Sequence, residues 1–120
     1  MAESEKGYEE SDNEKILICI DEIIDSSMAD DDTKGDMVFE YIFNLKEKGY
    51  KEVTLNFVHI ELVNTAFLNN AIGNLFDMKK FDMNKCKVLV TGLDETAMDL
   101  LRETIRVARQ KFMRHKPFSV

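Results

Sequence analysis

The chain has 120 residues, 44% of them apolar, and a formal net charge of −7. That length suits one domain, and that apolar share suffices for a packed core, which argues against disorder along the whole chain. The acidity argues against nucleic acid as the main partner. No apolar run reaches the ~18 residues of a membrane span.

The charge is unevenly spread. Residues 1–36 hold 13 Asp and Glu against 3 Lys, whereas residues 37–120 hold 10 against 13 Lys and Arg. The acidity therefore belongs to one end, and the rest is close to neutral. Residues 1–14, MAESEKGYEESDNE, are expected to form a disordered acidic tail, with one domain over residues 15–116. The tail has neither a basic start nor an apolar core, so no secretory leader is expected. Cys19 and Cys86 lie far apart within predicted strands. They read as small core residues of a cytoplasmic protein without a disulfide, and no metal site or cofactor is expected.

Residues 15–21, KILICID, predict a first strand with both faces apolar, as in the interior of a sheet. Residues 22–33 predict a loop, and a short fourth strand could hide within residues 22–30. The loop's run Asp30-Asp31-Asp32 suits a hard cation, but the plainer reading is a solvated acidic entry to a helix, where the dipole favours negative charge. Residues 34–48 predict that helix, with Met37, Val38, Tyr41, Ile42 and Leu45 as its apolar stripe and Gly49 as its stop. In residues 52–58, Val53, Leu55 and Phe57 alternate with polar neighbours, the pattern of a strand. A second helix is predicted over residues 65–80, and both Asn64 and Thr65 can cap its start. A third strand spans residues 86–91. Asp94 caps a third helix on which Ala97, Leu100, Leu101, Ile105, Ala108 and Phe112 share a face, with Pro117 beyond its end. Strands alternating with helices predict an α/β sandwich: a three- or four-stranded, mostly parallel sheet with about three helices.

In such a fold, ligands and partners gather at the carboxyl ends of the strands. The segment VTLNFVHIELVNTAFLNNAI, residues 53–72, carries that point and resembles the STAS domain, which joins sulfate transporters with anti-sigma-factor antagonists. The closest likeness is to the STAS-like bacterial domains of unknown function. Leu55-Asn56-Phe57 stands where the family has Leu-Asp-Leu, and Asn64-Thr65-Ala66-Phe67-Leu68 stands where it has Asp-Ser-Ser-Gly-Leu. The resemblance implies a small STAS-like sandwich and a non-enzymatic regulatory module in bacterial signalling. It also implies a protein partner, of the class of a GHKL-type ATPase or kinase-like regulator. In phosphorylated antagonists the second Ser accepts phosphate. That position is Ala66 here, so the usual switch is not expected.

The candidate partner-binding residues are Asn56, His59, Asn64, Thr65, Ala66 and Asn69. Asn64 and Thr65 have a plainer reading as helix caps, and His59 as a surface residue. Asn69, Asn70 and Asn74 are poor helix formers, which suggests a face kept polar for an interface. Arg102, Arg106 and Arg109 share a face of the third helix. This reads either as a solvated basic face or as a docking stripe for an acidic partner or the chain's own tail. No catalytic set is evident, and Gly92 opens no phosphate loop. Two alternatives stay open: a phosphoacceptor domain of a signalling relay, with Asp21 and Glu22 as its acidic pair, and a subunit of an oligomeric enzyme. Self-association is compatible with all of these.

Overall fold

A computed structural model describes residues 14–113. In chain order the elements are β1 (Lys15–Cys19), α1 (Ile20–Ile24), β2 (Met28–Ala29), α2 (Asp32–Glu47), β3 (Glu52–Asn56), β4 (Leu62–Val63), α3 (Thr65–Ala71), a 3₁₀ turn (Gly73–Phe76), β5 (Lys87–Thr91) and α4 (Glu95–Met113). The result is a small α/β fold with two parallel sheets, β1-β3-β5 and β2-β4. The expected disordered tail, residues 1–14, lies outside the described residues except for Glu14.

The three-stranded sheet follows the period-two rule. Ile16, Ile18, Val53, Leu55, Val88 and Val90 belong to its covered face. The opposite face carries three cross-strand rows: Lys15-Glu52-Lys87, Leu17-Thr54-Leu89 and Cys19-Asn56-Thr91. Leu17 is 56% and Leu89 40% exposed, so among the described residues no layer covers this side. Parallel sheets are ordinarily covered on both faces.

On the covered face the core is built from Val38, Ile42, Val53, Leu55, Phe57, Phe67, Leu68 and Leu75, each almost wholly buried. Phe57 meets Phe67 edge-on at 6.2 Å between ring centroids, and Phe39 meets Phe81 the same way at 6.2 Å. Helices α2 and α3 cross at Gly35. A Cβ there would lie 2.6 Å from the Phe67 carbonyl oxygen and 2.9 Å from Asn70 Cβ. Only glycine permits that approach. Helix α4 packs through Leu101, Thr104 and Ala108, and a Cβ at Gly73 would lie 3.8 Å from both Ala108 Cβ and Thr104 Cγ2.

Several expectations need correction. β1 is an edge strand and β3 the central one. The run KILICID is apolar on both faces, but the face of Leu17 is left open, with Leu17 56% exposed, and the strand ends at Cys19, where Ile20 and Asp21 begin α1 and Ile20 is buried. The hidden fourth strand exists as β2, but it pairs with β4 in a separate sheet. On α2 the buried stripe is Gly35, Val38, Ile42 and Leu45, while Met37 and Tyr41 are exposed. The helix predicted over residues 65–80 stops at Ala71 and tightens into the 3₁₀ turn, where Gly73 sits against α4. Thr104 joins the buried face of α4, and Ala97, Leu100, Ile105 and Phe112 are half-buried. Cys86 is buried just before β5, whereas Cys19 is only partly buried.

Gly35→Ala tests the crossing. Alanine favours a helix by about 1 kcal/mol over glycine, yet overpacking costs about 1–3 kcal/mol. A lower urea midpoint is expected. An unchanged or higher midpoint would contradict the close approach.

Candidate functional site

The site forms where the carboxyl ends of β1 and β3 meet the start of α3. β3 hands over to the turn through Phe57, whose N–H donates to the Thr91 carbonyl at 2.9 Å. Asn56 shapes the bend: its Oδ1 accepts from Val58 N–H at 3.1 Å, and its Nδ2 lies 4.0 Å from Cys19 Sγ. Gly92, at the end of β5, closes over this bend with φ +87°. A Cβ there would lie 2.7 Å from Val58 N and 2.8 Å from Asn56 Oδ1. Both the backbone angle and the approach require glycine.

Asn64 is the clamp. Its Oδ1 accepts from Phe67 N–H at 3.0 Å, capping α3. Its Nδ2 donates to the Asp30 carbonyl at 2.9 Å, and its own N–H donates to the Ala29 carbonyl at 3.1 Å. One residue thus ties α3 to β2 and to the entrance of α2. Asp31 caps α2 by accepting from Lys34 N–H at 2.7 Å, and Asp30 pairs with Lys34 Nζ at 3.0 Å. The acidic run is therefore used for capping and pairing. Among the described residues, no group of three or more His, Cys, Asp and Glu is placed to hold a metal ion.

Thr65, Ala66 and Asn69 face outward, while Phe67, Leu68 and Ala71 are buried. Of the two expected caps only Asn64 acts as one, and Thr65 is the first helical residue and is exposed. Beside them Val58 is 56% and Leu62 44% exposed. Ile60, Leu62, Val63, Leu93, Ala97 and Leu100 line an adjoining groove of about 200 Å³. The six candidates thus separate. Asn56 and Asn64 hold the turn from within, and His59, Thr65, Ala66 and Asn69 are presented on it.

Sequence reasoning named Asp21 only in the acidic pair of a phosphoacceptor and missed its contact with His59. Its Oδ2 lies 3.8 Å from Nδ1 of His59, whose side chain is 70% exposed, and its Oδ1 is buried without a partner among the described residues. The two are 38 positions apart, so spacing gave no signal. The basic face of α4 is largely neutralised: Arg102 pairs with Asp99 at 2.7 Å, and Arg106 pairs with Glu103. The Arg106 hydrogen bond holds the Glu103 carboxyl below its usual range. Burial pushes the Cys86 thiol up, so little thiolate forms there at neutral pH.

The family model described as the STAS-like domain of unknown function (DUF4325) matches residues 35–98, just over half of the chain, from α2 to the first turn of α4. The match includes the whole β3–α3 turn. No curated protein and no solved structure matches the chain. No helix among the described residues is long and apolar enough to cross a membrane.

Two measurements check this geometry. Asn64→Ala removes a cap worth about 0.5–2 kcal/mol together with the tie to Asp30, so its cost in urea unfolding should reach the upper part of that range. A loss under about 0.5 kcal/mol would contradict the clamp. A thiol reagent at neutral pH should label Cys19 well before Cys86. Equal rates would contradict the burial of Cys86.

Proposed function

Because the chain belongs to the family of STAS-like domains of unknown function, we propose that it is a non-enzymatic regulatory module that binds another protein through the β3–α3 turn. The observation that carries this reading is the division of labour within the turn. Asn56, Asn64 and Gly92 hold its backbone, which leaves Thr65, Ala66 and Asn69 projecting beside the exposed apolar side chains of Val58 and Leu62. A surface fixed before contact loses little conformational freedom on binding. Its mixture of apolar and polar groups, with the single carboxylate of Glu61 between Val58 and Leu62, suits a protein partner. A GHKL-type ATPase or kinase-like regulator is the class that the family resemblance suggests.

Binding on this reading is constitutive. Ala66 has no hydroxyl to carry a phosphate. Thr65 has one, but along a helix it points about 100° away from its neighbour. Negative charge at a helix start is favoured by the dipole by about 0.3–1 kcal/mol, so a carboxylate placed there should not unfold the domain. It would act by repulsion or clash at the interface.

Thr65→Glu and Ala66→Glu should fold like the parent by circular dichroism. Each should weaken binding of a partner isolated from the native host at least about tenfold, or 1.4 kcal/mol, in calorimetric titration. Thr65→Ala should bind about as well as the parent. If both Glu variants bind unchanged, the contact surface lies elsewhere. Phosphate on Thr65 in protein from the native host would overturn the constitutive reading.

A further inference from the structure

At the opposite, amino end of the sheet lies an open groove of about 790 Å³, lined by Lys46, Tyr50, Lys51, Asn84, Lys85 and Lys87 among others. It has four lysines. Lys46 is held deep, with its side chain 11% exposed, paired to Glu47 at 2.7 Å and lying over the Phe43 ring at 4.9 Å. Among the described residues, Lys51, Lys85 and Lys87 have no carboxylate within ion-pair distance. Glu52 is the cross-strand neighbour of Lys87 and of Lys15. Even with Glu47 and Glu52 counted, cations predominate at this end of the sheet.

The chain itself enters the described fold at this groove. The Glu14 carbonyl accepts from Lys51 N–H at 2.7 Å and from Glu52 N–H at 2.9 Å, and the Lys51 carbonyl accepts from Lys87 N–H at 2.9 Å. Immediately before Glu14 comes the most acidic terminal stretch of the sequence: residues 1–13 hold Glu3, Glu5, Glu9, Glu10 and Asp12 against Lys6 alone. We propose that this acidic segment docks in cis along the lysine groove, with Glu9, Glu10 and Asp12 against Lys51, Lys85 and Lys87.

The reach fits. β1 and β5 are two strand spacings apart, about 10 Å. An extended chain covers about 3.3–3.6 Å per residue, so Asp12 can lie about 7 Å and Glu9 about 17 Å from Glu14. A tether this short gives the carboxylates an effective concentration in the millimolar range, enough to favour weak exposed ion pairs that would not hold between separate molecules. The basic face of α4 is a poorer host, because Arg102 and Arg106 already have their carboxylates. The groove lies at the other end of the strands from the β3–α3 turn, so the inference is independent of the proposed partner surface.

Zero-length coupling with a carbodiimide tests it on the full chain. The reagent joins a carboxylate to an amine as an amide and is consumed to its urea. Peptide mass spectrometry should find the segment around Glu9, Glu10 and Asp12 coupled to Lys51, Lys85 or Lys87. Coupling to Lys34, Lys79, Lys80 and Lys111 should be at least about fivefold weaker. Raising NaCl from 0.1 to 0.5 M should cut the coupling severalfold, as expected of screened charges. In Lys85→Glu/Lys87→Glu, coupling to the remaining Lys51 should fall too. Mixed ¹⁴N and ¹⁵N protein should give coupled peptides of a single isotope. Coupling spread evenly over exposed lysines, no coupling at all, or coupling mainly between isotopes would each overturn the proposal.

Discussion

The architecture depends on how closely α2 can approach α3. Gly35 lets the Phe67 carbonyl and Asn70 come within contact of the α2 backbone. That seats α3 low enough for Phe67 and Leu68 to be fully buried and for Phe67 to meet Phe57 edge-on. Asn70 Nδ2 then bonds Asp36 Oδ1 at 2.9 Å along the same seam. With α3 fixed there, Asn64 is within reach of both the Phe67 N–H and the Asp30 carbonyl. A side chain larger than hydrogen at position 35 would lift α3 and pull that clamp apart.

Much of this was legible in the sequence, where a local rule and the tertiary outcome coincide. The alternation of Val53, Leu55 and Phe57 marks β3 because that strand is central and each of the three is buried. Asp94 accepts from Ala97 N–H at 2.8 Å, as its position before an amphipathic run predicts. Gly49 ends α2 with φ +103°. What could not be read depends on neighbours distant in sequence. Ile20 serves a one-turn helix as well as it would a strand. Met37 and Tyr41 are apolar and fit the helical period, yet the crossing at Gly35 turns the buried stripe away from them. Two-residue strands such as β2 and β4 are too short to show any period.

The candidate site was legible to a similar degree. Its location followed from the strand-to-helix succession, and Asn64 was identified as a capping residue from its type alone. The roles within the site were not readable. Asn56 and Asn64 turned out to hold the backbone, whereas Thr65 and Asn69 project from it. The His59–Asp21 contact and the fit of Gly92 over Asn56 join segments that only the sheet brings together.

The proposed recognition role rests on these features. The turn is held by hydrogen bonds within itself and to Ser27, Ala29, Asp30 and Thr91, and it presents Val58, Leu62, Thr65, Ala66 and Asn69 outward together with His59 and Glu61. Amide hydrogen exchange measured on the chain alone and in complex with a partner from the native host tests that reading most directly. The account predicts slowed exchange concentrated in residues 56–71, with little change along α4 and β1. Slowing confined to α4 or to the open face of the sheet, with residues 56–71 unchanged, would contradict it.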